Sequence, residues 1–114
     1  MDKEKTYNHP YFIVQGKEKS YPFLCINAKD FPGLFIYANN YNGFSPSITY
    51  IQKSANILRD INELNQHKEV LKKLGNYFGI YLVLREIDRD LIFMDILDFL
   101  IKLPIGNQLI SLGK

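Results

Sequence analysis

Apolar and polar positions along this chain change their period several times, and each change marks an element. "YFIVQ" (11–15) is apolar and β-branched, which predicts a short strand stopped by "GKEKS". "YPFLCINAKDFPG" mixes apolar residues with two prolines and reads as an extended segment covering the core. "GLFIYANN" (33–40) predicts a strand ended by the turn-rich "NNYNGFSPS". "ITYIQK" (48–53), with β-branched and aromatic residues, predicts its hairpin partner. Helical spacing then takes over. Ile57, Leu58, Ile61 and Leu64 share one helix face, with Ser54 as the N-cap. "HKEVLKKLGNYFG" continues as a second short helix through Val70, Leu71 and Leu74, stopped at Gly75. "IYLVLREI" (80–87) is nearly continuously apolar, as a strand covered on both faces would be. Asp88 or Arg89 opens a last helix, "RDLIFMDILDFLIKL", closed by Pro104 and Gly106. It is apolar almost all round, apart from a narrow stripe of Asp95, Asp98 and Lys102.

This order predicts an α+β fold, a small three-stranded antiparallel sheet flanked by helices (β-β-α-α-β-α). Residues 1–31 form a polar arm and an extension packing on the core and able to add a strand. Residues 32–107 form the core domain, and 108–114 a tail. No internal repeat or low-complexity segment interrupts it.

Composition narrows the classes. With 114 residues, 46% of them hydrophobic, one compact domain has enough apolar material for a core. No apolar run approaches the ~20 residues of a membrane-spanning helix, so no membrane partner is expected. The charged start, "MDKEKTYNHP", lacks the apolar stretch of a signal peptide, and the single Cys25 fits a reducing compartment. Both favour a cytoplasmic protein. Two histidines and one cysteine, far apart, do not make a zinc site. The formal charge is +2, and between Pro32 and Asn107 eight Lys/Arg cancel eight Asp/Glu. Charge alone therefore does not call for nucleic acid.

Local signatures add a resemblance. "PGLF" (32–35), followed by Ile36 and Tyr37, opens the first core strand. "YIQKSANILRDI" (50–61) runs from the second strand into the first helix. "DRDL" (88–91), Asp95 and "PIGN" (104–107) follow on the last helix. In this order they resemble the GIY-YIG nuclease family, over about residues 32 to 107. The literal "GIY" at 79–81 is not part of it, because no Tyr-Ile-Gly strand and Arg-bearing helix follow. Gly79 reads as the end of a helix turn.

The resemblance implies hydrolysis of a nucleic-acid phosphodiester, helped by magnesium or manganese. It assigns Asp95 to the metal, in place of the family's Glu. It assigns Tyr50, Lys53 and Arg59 to catalysis: a phenol that helps activate water, a phosphate contact and a charge stabiliser. It assigns Phe35, Tyr37, Asn56 and Asn107 to the substrate. Several reactive groups are altered. Phe35 stands where the first motif has tyrosine, Gln52 where the second has glycine, and Asp60 where the helix has arginine. Arg59 is one residue away, a rotation of ~100° on a helix. Plainer readings stand beside these. The Asp95 stripe also reads as a solvated helix face with an Asp98–Lys102 pair, and Tyr50 as a half-buried strand aromatic. The expected function is thus a nuclease-fold domain with a degenerate site, its activity weak or lost, and DNA or other nucleic acid as partner. The alternative is a protein-interaction or regulatory module without catalysis, its partner reached through the N-terminal extension.

Overall fold

The computed structural model describes residues 11–39, 47–66, 75, 77–101 and 111–112. The strands are β1 (Tyr11–Gln15), β2 (Ser20–Leu24), β3 (Gly33–Asn39), β4 (Ser47–Ser54), β5 (Tyr77–Leu82) and β6 (Ser111–Leu112). The helices are α1 (Ile57–Leu64), between β4 and β5, and α2 (Glu86–Ile101), after β5. The fold is α+β. One sheet holds the order β1-β2-β5-β3-β4-β6, with antiparallel neighbours except β4 and β6.

The sheet is wider than the three strands expected. The predicted core strands are its middle, with β3 between β5 and β4. The extension adds two strands, because "YFIVQ" and "SYPFL" each alternate exposed and buried residues. That alternation sends Phe12, Val14, Tyr21 and Phe23 to one face, where they join Leu34, Ile36 and Ile51 beneath α2. Pro22 does not prevent the strand, since β2 pairs fully with β1 but meets β5 only at Leu24–Ile80.

Three boundaries also differ from the sequence reading. The third core strand spans Tyr77–Leu82, not 80–87, since its partner β3 begins at Gly33 opposite Leu82. Past that point the Val83 N–H turns to the Pro32 carbonyl, and Arg89 Nη1 binds the Val83 and Leu84 carbonyls. α2 consequently starts at Glu86, ahead of Asp88. Gly79 lies within β5 and ends no helix turn. A Cβ there would sit 2.8 Å from the Phe12 ring and 3.0 Å from Phe23 Cβ, so glycine admits two phenylalanines. Residues 67–74, where the second helix is predicted, lie outside the described residues. Gly75 has φ 108°, a left-handed conformation that glycine adopts without strain.

Each face of the sheet carries its own core. Ile57 and Ile61 of α1 pack against Phe35, Tyr50 and Ile80. Under α2, Phe93, Ile96 and Leu100 pack against Leu34, Ile36 and Ile51. A bulge at Thr49 places Ile48 opposite Ala38 and Tyr50 opposite Tyr37. This shift lets Ile48 join the α2 core while Tyr50 joins the α1 core. Among the described residues no helix is long and apolar enough to cross a membrane.

Candidate functional site

Strand alternation decides which predicted residues can meet. On β4, Tyr50, Gln52 and Ser54 point toward α1, while Ile51 and Lys53 point toward α2. The first group converges on α1. The Tyr50 hydroxyl donates to Gln52 Oε1. Gln52 Nε2 donates to Asp60 Oδ2 at 3.1 Å, and Ser54 Oγ donates to the same oxygen at 2.6 Å. Arg59 Nε reaches the other Asp60 oxygen at 3.2 Å.

The helix that brings Asp60 here is capped by Asn56, not Ser54. Asn56 Oδ1 accepts from the Arg59 N–H at 3.0 Å, the bond an N-cap makes. Ser54 sits two residues earlier and accepts from the Asn56 N–H at 3.0 Å. The Asn56 amide nitrogen donates to Asp30, and the Ile57 and Leu58 N–H groups bind the Phe31 and Lys29 carbonyls. Asn56, expected at the substrate, thus spends its side chain on starting α1.

Tyr50 is buried beside Phe35 and Tyr37, with ring centroids at 6.0 and 6.3 Å. Burial, then the nearby Asp60 carboxylate, raises its pKa above the ordinary phenol value. Both influences hold it protonated, as a donor, and oppose a role as base. Phe35, expected at the substrate, is completely buried. Tyr37 is partly buried and packs on Phe78 with centroids 5.1 Å apart. Burial and then Tyr50 raise its pKa also.

Lys53 and Asp95 are committed to the α2 side. Lys53 Nζ lies 3.2 Å from Asp90 and 5.0 Å from the centre of the Phe93 ring. Asp95 is enclosed by the β1–β2 turn. Its Oδ1 accepts from the Glu18 N–H at 2.8 Å; its Oδ2 accepts from the Lys19 N–H at 3.2 Å and the Tyr21 hydroxyl at 2.7 Å. Its backbone carbonyl accepts from the Lys17 N–H at 2.9 Å. A Cβ on Gly16 would stand 2.3 Å from Oδ2, so glycine makes the approach feasible. Burial works against the charge of Asp95, but the Tyr21, Glu18 and Lys19 donors and the Lys19 ammonium outweigh it. They hold the carboxyl below its usual pKa. Tyr21 is shifted the other way, upward, by burial first and then by Asp95.

The structure therefore brings Tyr50, Asn56 and Arg59 into one network, and sets Asp95 on the opposite face of the sheet from Tyr50. Expected as a metal ligand, Asp95 instead has both oxygens filled by hairpin donors. Asn107 lies outside the described residues. A depression of about 450 Å³ at the β4–α1 corner is lined by Gln52, Lys53, Arg59, Asp60 and Glu63. The Lys53 ammonium turns away to Asp90, which leaves Arg59 facing Asp60 and Glu63, so a phosphate finds no net attraction there. Among the described residues no group of three His, Cys, Asp or Glu side chains is arranged to hold a metal. Sequence reasoning missed the roles of Gly16 and Tyr21. The available signal was a glycine turn beside a strand, with an aspartate in an otherwise apolar helix. No protein-family model matches the chain, and no match appears among curated proteins or solved structures.

Proposed function

We propose that this chain is a protein-binding module without catalysis of its own, on a frame that resembles the GIY-YIG nucleases. One observation carries the reading. Gln52 and Asp60, which replace the glycine and arginine of that pattern, hydrogen-bond to each other, and Tyr50 donates into the pair. The altered positions interlock as a packing network. A nuclease would need a cation at Asp60 and a water-activating group at Tyr50. Removing one well-placed transition-state donor typically costs ~10²–10³ in rate. Here the arginine position holds an acid and the first tyrosine position a buried Phe35. The retained-activity reading depends on Lys53 and Arg59, whose charged ends turn to Asp90 and Asp60 on opposite sides of β4.

The test is incubation of the chain with plasmid, single-stranded DNA and RNA in magnesium or manganese, beside a Tyr50→Phe/Arg59→Ala variant. Native and variant protein are expected to give the same background. Metal-dependent cleavage that disappears in the variant would establish the nuclease instead.

A further inference from the structure

α2 is apolar on two faces. One seats Phe93, Ile96 and Leu100 against the sheet. The other leaves Ile87, Leu91, Met94 and Ile101 half exposed or more, at steps of four, three and seven residues. Beside this stripe runs a groove of about 670 Å³ between α2 and the β2–β5 boundary.

Pro22 accounts for the opening. Leu24 faces Ile80, so the next antiparallel partners would be Phe23 with Tyr81 and Pro22 with Leu82. Phe23 and Tyr81 still stack, with ring centroids 5.5 Å apart. Pro22 has no N–H to donate, so the ladder does not continue and the strands fork. Leu82 is left 41% exposed there, next to Leu91 at 62% and Met94 at 50%. These apolar residues are contiguous, and a continuous exposed patch marks an interaction site where scattered single residues would not.

The charge around the groove identifies the occupant. Among the residues lining it, four are carboxylates and one, Lys19, is a cation. Asp95 is spent on the hairpin, and Asp88 has an exposed bridge to Arg85 at 3.3 Å, a weak interaction in water. Glu18 and Asp98 have no salt bridge among the described residues. We propose that the groove docks a basic amphipathic segment of a partner protein. Apolar side chains would seat on Leu82, Leu91 and Met94, with Lys or Arg facing Glu18, Asp88 and Asp98. A second copy fits less well, since the same acidic rim would then meet itself. This inference rests on the protein-binding reading and deepens it by naming the partner's chemistry.

The probe is a fluorescein-labelled peptide about four turns long, with leucines on one helical face and lysines elsewhere. A control peptide carries glutamates for the lysines. Fluorescence anisotropy and amide NMR shifts are read for the native chain, Met94→Lys and Asp88→Lys/Asp98→Lys. Met94 is half exposed and Asp88 and Asp98 are partly exposed, and unchanged melting verifies the fold of each variant. The lysine peptide is expected to bind saturably, with shifts confined to Leu82, Leu91, Met94 and their neighbours. Each variant should weaken it at least about tenfold, and the glutamate peptide should not bind. Failure to saturate, shifts centred elsewhere, or equal binding by the charge-reversed variant overturns the proposal. So does self-association in sedimentation that Met94→Lys abolishes, which would assign the face to a second copy. DNA cleavage would sink the non-catalytic reading without touching these results, and a silent peptide leaves that reading standing.

Discussion

At the scale of single residues, Asp95 is the position where chemistry and architecture part. A carboxylate in an apolar helix looks like a reactive group, yet here it closes a turn. Its pKa is lowered in the fold, so the unfolded chain binds its proton more readily. Its contribution to stability is present above the unfolded value of ~3.9 and fades as pH falls through the folded one. Urea titrations of the native chain and Asp95→Asn should differ at neutral pH and converge as pH drops below about 4. Tyr21 acts at the alkaline end: its pKa is raised, so its contribution is present below the unfolded value of ~10 and is lost as pH rises through the folded one. Gly16 gives a second prediction. Alanine there meets Asp95 Oδ2 and the Lys19 carbonyl, and should cost about 1–3 kcal/mol. In an Asp95→Ala background the same change should cost less, because two of the three nearest atoms, both on the Asp95 carboxylate, are gone while the Lys19 carbonyl at 2.9 Å stays. Equal costs in a double-mutant cycle would mean that the two residues are not coupled.

Among the elements, the β1–β2 hairpin shows what alternation conveys and what it leaves out. Phe23 is completely buried and Ile13, on the neighbouring strand, is 37% exposed. Phe23→Ala should cost about 3–5 kcal/mol, while Ile13→Ala should cost much less. Similar losses would refute the assigned faces. β1, β3, β4 and α1 were legible from period alone, because each pairs or packs against neighbours close in sequence. In the sequence β2 reads only as extended chain, because a proline argues against a strand, and its tolerance depends on β5, more than fifty residues away. The end of β5 was set by where β3 begins, a limit that its apolar run "IYLVL" does not encode. The candidate site was legible as a set of residue types. Its split across two faces was not, because odd and even positions of β4 separate only once each face has a helix.

For the whole molecule, the extension is part of the core. Phe12, Val14, Tyr21, Phe23 and Cys25 share one apolar cluster with Phe93 and Ile96. A chain beginning at Pro32 would keep the region that resembles the nuclease but leave α2 half uncovered. Calorimetry of that truncation is expected to show no cooperative transition, and a sharp one would mark the extension as dispensable. The grip of the hairpin on Asp95 also has a consequence for biosynthesis. Its side-chain bonds join residues 74 to 77 apart in sequence. At ~5–20 residues per second, Tyr21 leaves the peptidyl-transferase centre roughly 4–15 s before Asp95 is added. Throughout that interval β1 and β2 have no helix to cover their apolar face, and β5 does not yet exist for most of it. β1 and β2 are thus synthesised well before the helix that shelters them, and Phe12 and Phe23 wait on Phe93 and Ile96 for their cover.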